Sequence, residues 1–281
     1  MDLSLDPRFA QFIRERQYLH NVSAATISWY THALKWLPSA SPTQEQLKET
    51  VLRMREKGLK PTGCNAAIRG INAYLRWSGS ALKAPQLKEP QLILPTFSAA
   101  QVKRLVTWKP RGFYERRLHL LVLVLLDTGC RISEALGLRV SDLDLDNLLV
   151  TLDGKGRKQR VVPFSFELRR AVFRFVAEFD RRPDALLFAT RTERRVSRRV
   201  PLRQVKTLCE QLGFKAPPRT LHAFRHTFAV NYLRRGGSVF HLQKVLGHSS
   251  LEMTRRYANL VTTDLQAMHE RVSLLAHDLP R

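Results

Sequence analysis

Apolar residues recur at helical spacing through the first part of the chain. Phe9, Phe12 and Ile13, then Ile27, Tyr30, Leu34 and Leu37, then Leu47, Val51 and Met54, then Ile68, Ile71 and Leu75 each line one face of a helix. The punctuation between these groups agrees. Ser23 suits an N-cap, Thr43 with Gln46 forms a capping-box pair, and Gly58 and Pro61 separate the last two groups. No segment from Phe9 to Trp77 alternates with the period of a strand. This part therefore reads as four helices.

The pattern breaks at Ser78–Pro95, where Ser-Gly-Ser is followed by Pro85, Pro90 and Pro95, a composition that favours an extended, semi-rigid connector. Ser98 with Gln101 opens a new helix, and an apolar core helix follows over Tyr114–Leu126. Asn147–Leu152 and Gln159–Phe164 are rich in strand formers and flank Asp153-Gly154, which predicts a hairpin with a basic tip. The spacing predicts further helices over Phe166–Phe179, Leu202–Leu212, Thr220–Arg235 and Val239–Leu246. A last amphipathic stretch, Asp264–Leu275, carries Leu265, Met268, Val272 and Leu275 on one face. The expected architecture is mainly α: a helical domain over residues 1–80, a linker over 81–95, and a mixed α+β domain over 96–281 with a small antiparallel sheet.

Charge narrows the choice of partner. Forty-seven Lys and Arg against twenty-four Asp and Glu give a net charge of +23, which implies a polyanion, nucleic acid before an anionic membrane surface. No apolar run reaches the ~18 residues of a membrane span, and the acidic start is no signal peptide. The expectation is a soluble, cytoplasmic protein with no membrane partner. Cys64, Cys130 and Cys209 form no CxxC pair, so they read as small buried hydrophobes.

Several side chains are candidates for chemistry. His222 and Arg225 share a helix face, and His226 stands at the spacing of a helical zinc pair with His222. A metalloprotease helix needs Glu where Ala223 stands, so no metal is expected. His248 follows Gly247 in Leu246-Gly-His, and Tyr257 lies nine residues beyond it. Arg131 sits in Asp127-Thr-Gly-Cys-Arg-Ile-Ser-Glu, with Glu134 placed either to orient it or to cap a helix. Taken singly, each has a plain structural explanation: a capped helix, an ion pair, a core tyrosine. The run Arg191–Arg203, with Arg194, Arg195, Arg198 and Arg199, is either a solvated basic loop or a phosphate-contacting edge. There is no GxxxxGK[ST] loop and no carboxylate cluster of a two-metal site.

Together, and in this order, Arg in a TGxRxSE turn, Lys in a GKGxKxR hairpin, HxxR, LGH and the following Tyr resemble the tyrosine recombinase (integrase) family, in particular its compact Xer-like members. The resemblance spans Thr96–Tyr257 by motif, and the four-helix unit is similar to the family's SAM-like core-binding domain. It implies that Tyr257 is the nucleophile, forming a 3′-phosphotyrosyl ester. Arg131 and Arg225 would hold the scissile phosphate, helped by His222 and His248, and His222 could also take the tyrosine proton. Lys155 matches the lysine that protonates the departing 5′ oxygen, with Arg157 and Lys158 as neighbours that could be confused with it. The resemblance further implies no cofactor, a specific duplex DNA site and a homotetramer acting on two sites at the nucleoid, and it leaves room for a partner recombinase or accessory protein. The segment Asp264–Leu275 would pack on its own domain or, by resemblance, on a neighbouring protomer. Two rivals stay open: a type IB topoisomerase-like enzyme, and a catalytically silent DNA-binding architectural protein on the same scaffold.

Overall fold

The computed structural model describes residues 6–89, 94–154, 159–248 and 250–258. The chain divides into two compact units, Met1–Leu92 and Ile93–Arg281. The first contains α1 (Pro7–Tyr18), α2 (Ala24–Leu34), α3 (Gln44–Glu56) and α4 (Pro61–Trp77), the helices that the apolar spacing predicts. Ser23 caps α2 by accepting from the Thr26 amide, and Thr43 and Gln46 close the capping box of α3. Phe12, Leu34, Leu47, Met54, Ile68, Ile71 and Tyr74 are fully buried between the helices. Gly70 lets α2 and α4 approach closely, because a Cβ there would fall 2.6 Å from the Cβ of Ala33.

Residues 80–89 run without helix or strand along this unit. Two asparagines of α4 stitch them down. The Asn72 amide exchanges hydrogen bonds with the Ala84 backbone at 2.8 and 3.1 Å, and Asn65 does the same with Leu87 at 2.8 Å. Each asparagine imitates a strand partner, satisfying both the donor and the acceptor of one extended residue.

The second unit contains α5 (Ala99–Thr107), α6 (Gly112–Thr128), α7 (Ile132–Ala135), β1 (Leu143–Asp144), β2 (Leu149–Asp153), β3 (Gln159–Pro163), α8 (Phe166–Glu178), α9 (Arg199–Gln211), α10 (Thr220–Arg234), α11 (Val239–Leu246) and α12 (Leu251–Ala258). The strands form an antiparallel sheet in the order β1-β2-β3, with Val150 opposite Val162 and Leu152 opposite Arg160. The architecture is mainly α with a small antiparallel sheet, as expected. The α6 side chains Leu121, Val122 and Leu125 are buried in the principal core with Phe224 of α10 and Val172 of α8.

Two elements differ from the sequence expectation. The strand β1 is only two residues long, too short to show an alternation. Helix α9 starts at Arg199 rather than Leu202, and Pro201 falls in its first turn, where a missing N–H breaks no intrahelical bond.

Candidate active site

The site is built where several chain ends meet within the second unit. Helix α6 stops at Gly129 with φ +61°, and a Cβ there would lie 2.3 Å from the Phe228 ring, so only glycine fits both the turn and the contact. Two residues later Arg131 stands immediately before α7. Helix α10 brings His222, Arg225 and His226, while α11 ends at Gly247 with φ +65° and releases the chain into His248 and α12.

Arg225 ties these ends together. Its Nη1 donates to Gly129 O at 3.0 Å and its Nη2 to Leu246 O at 2.7 Å, and only 5% of the residue is exposed. Burial pushes its pKa down to about 10, and Arg131 presses in the same direction. A guanidinium held this way loses little freedom when it meets an anion, and an arriving negative charge relieves the repulsion.

Glu134 is the carboxylate at the centre of the cations. It accepts from the Arg131 backbone amide and from Arg131 Nη1, both at 2.8 Å. Arg160 of β3 meets its two oxygens with both terminal nitrogens at 3.0 and 2.8 Å, and Arg160 Nε donates to Val245 O at 2.8 Å. Burial alone would raise the Glu134 pKa. Hydrogen bonds from Arg160 and Arg131 overcome that and hold it at about 2. The two readings of Glu134, cap and orienting partner, both hold: its carboxylate receives the backbone N–H and the guanidinium of Arg131 at once.

Tyr257 of α12 is buried, with 4% exposure. Its hydroxyl lies 2.9 Å from His226 Nδ1, and its ring stacks on His248 with centroids 6.2 Å apart and planes 7° from parallel. His248 Nδ1 is 2.9 Å from the hydroxyl of buried Thr254, one turn before Tyr257. Burial and nearby cations act on all three imidazoles. The pKa values of His226 and His248 are each pushed down to about 4, first by burial, then by electrostatic repulsion, led by the neighbouring His222 imidazole for His226 and by Arg225 for His248. His222 is lowered by partial desolvation and then by Arg225, Arg219, Arg131 and Arg198. The half-buried rings of His226 and His248 are therefore neutral at pH 7, with one N–H and one bare nitrogen each.

The structure thus gathers Arg131, Glu134, His222, Arg225, His248 and Tyr257. Lys155, Arg157 and Lys158 of the hairpin tip, and the segment Asp264–Leu275, lie outside the described residues. Arg194, Arg195, Arg198 and Arg199 are exposed, and the Arg195 guanidinium passes close to Gly137, just after α7. Sequence reasoning passed over Arg160 and His226. Arg160 is the final residue of the GKGxKxR run, and its only signal was that place in the motif. His226 was visible only as a spacing that suited a metal. Among the described residues, no three His, Cys, Asp or Glu side chains group as a metal site.

Chemically, two guanidinium groups and neutral imidazoles beside a phenol suit an oxyanion with charge on several oxygens, and the phenol is a latent nucleophile. The comparisons with known proteins decide the family. Residues 95–263 match the phage integrase family. The chain belongs to that family. It is 30% identical to tyrosine recombinase XerA of Thermococcus kodakarensis, over 92% of each chain. It is 29% identical to XerA of Pyrococcus furiosus, over 92% of this chain and 91% of the relative. Among solved structures, the Tn1549 transposon integrase in complex with transposon right end DNA has the same fold, with a TM-score of 0.74 at 24% identity over 95% of this chain and 98% of that one. As a phage integrase family member of the Xer-like tyrosine recombinase type, the chain is an enzyme that cleaves and rejoins DNA in site-specific recombination. The topoisomerase-like and catalytically silent alternatives are not favoured by these matches.

Proposed function

We propose that Tyr257 attacks one phosphodiester in each strand it cuts, leaving a 3′-phosphotyrosyl ester and a free 5′ hydroxyl. Arg131 and Arg225 hold the non-bridging oxygens, where a planar guanidinium makes paired, charge-assisted bonds that strengthen as charge accumulates. His222 and His248 add hydrogen bonds from neutral rings. Lys155 protonates the departing 5′ oxygen. Glu134 and Arg160 are positioning residues that fix Arg131. The ester stores the energy of the broken bond, so rejoining needs no nucleotide and no other cofactor.

The observation that carries this reading is the placement of the Tyr257 phenol against His248 and His226, within the field of the buried Arg225. Exposed Arg194, Arg195, Arg198 and Arg199 supply phosphate contacts along the duplex. The full reaction requires a specific duplex site, four protomers on two such sites, and exchange of strands in pairs, in the cytoplasm at the nucleoid. A second recombinase or accessory protein joins where the site is asymmetric.

A two-site plasmid tests the proposal. A site selected from a random duplex library is cloned twice in direct repeat on one supercoiled circle, and the purified protein should resolve it into two circles while leaving a plasmid without sites untouched. Relaxation of every supercoiled plasmid, with no dependence on the site, would instead support the topoisomerase-like reading.

A further inference from the structure

We propose that His226, through Nδ1, is the group that takes the proton from the Tyr257 hydroxyl as the phenol oxygen attacks phosphorus. This rests on the reading of Tyr257 as the nucleophile. His222 is the acceptor that the family resemblance implies, and it stands one turn earlier on α10 at a more exposed position. The contact in the structure is the one to His226, at 2.9 Å, within the range of a direct proton transfer. With its ring proton on Nε2, His226 offers Nδ1 as a bare acceptor and the phenol donates to it.

The surroundings decide when His226 becomes basic. His222 and Arg225 of α10, Arg219 just before it, and His248 preceding α12 all act on His226 or are acted on by it, and the ring is half-buried. These neighbours and burial keep the imidazole neutral, which leaves Nδ1 available but weakly basic. A phosphodiester bound between Arg131 and Arg225 brings a negative charge that offsets those cations and favours an imidazolium nearby. Proton acceptance is then linked to the binding of DNA.

The step balances without an added reagent. The Tyr257 Oη–H bond breaks and its proton goes to His226 Nδ1. The Oη–P bond forms, the P–O5′ bond breaks, and O5′ takes a proton from Lys155. Rejoining reverses each transfer, so His226 returns its proton to the phenol when the ester is resolved.

The test uses a nicked duplex carrying the library-selected site, which traps the covalent intermediate. His226→Gln keeps a hydrogen-bond acceptor but cannot hold the proton. It should bind the duplex as wild type does and form the adduct about 10²–10⁴-fold more slowly. Its rate should climb with pH toward the ordinary phenol value of about 10, while the wild-type rate levels off below that. His222→Gln should slow the reaction without acquiring this pH dependence. Nitrogen-15 spectra of the wild-type imidazoles give a second readout, independent of any variant's folding: Nδ1 of His226 should be unprotonated in the free protein. Wild-type rates in His226→Gln, or a protonated Nδ1, would overturn the assignment. An adduct formed by Tyr257→Phe, or none formed by wild type, would overturn the nucleophile reading beneath it.

Discussion

Arg160 and Glu134 face each other fork to fork, with both terminal nitrogens of the guanidinium on both oxygens of the carboxylate, at 3.0 and 2.8 Å. The same carboxylate holds Arg131. The Glu134 side chain is 3% exposed and that of Arg160 12%, so deleting either one leaves a poorly solvated charge behind. Glu134→Ala should destabilise the protein by about 3–5 kcal/mol, measured by urea unfolding, and should slow cleavage further because Arg131 is no longer held.

The same pair sets an acid limit. The Glu134 pKa rises from about 2 in the folded protein to 4.5 when unfolded, so the pair's contribution is complete above 4.5 and is lost as pH falls toward 2. Unfolding free energy measured across that window should decline in wild type. The decline should be shallower in Glu134→Gln, which has no carboxylate to protonate.

A second window lies higher. His226 and His248 titrate near 6.5 when unfolded and near 4 when folded, so the unfolded chain takes up protons that the folded site refuses. Stability should be at its full value above 6.5 and fall as pH drops from there toward 4. Replacing His226 or His248 with Gln should remove part of that slope in unfolding measured at stepped pH.

Gly247 couples a helix end to the ion pair. It has φ +65°, and a Cβ there would stand 2.9 Å from Arg160 Cδ, on a side chain already pinned by Glu134 and Val245. Gly247→Ala should cost about 1–2 kcal/mol from the left-handed backbone alone. It should also slow formation of the covalent adduct by displacing Arg160. Unchanged stability together with an unchanged rate would contradict the coupling.

The exposed arginines should act on affinity rather than on chemistry. Arg194→Ala and Arg199→Ala, at exposed positions, should each lower the slope of log K against log salt by about 0.9 for a lost phosphate contact. The cleavage rate at saturating protein should stay the same.

Much of the fold was legible because the signals are local. The capping boxes of α3 and α5 each close within four residues and form as expected, and the apolar periods of α4 and α6 lie on the faces that are buried. What was not legible depends on distance along the chain. Arg160 meets Glu134 across 26 residues, and His226 meets Tyr257 across 31. No spacing rule links such partners, because a turn of helix relates only neighbours three or four apart. The motif order placed residues on the list of candidates, but only the folded chain shows that Glu134 serves two arginines and that the tyrosine rests on the second histidine rather than the first.

Every later step of the proposed reaction depends on Tyr257 becoming covalently joined to DNA. A nicked duplex library is incubated with wild type and with Tyr257→Phe, resolved on a denaturing gel, and the trapped DNA is sequenced while the adducted peptide is identified by mass. The expected result is an adduct with wild type alone, on a peptide containing Tyr257, enriched for one sequence. An adduct that persists in Tyr257→Phe, or that maps to another residue, would contradict it.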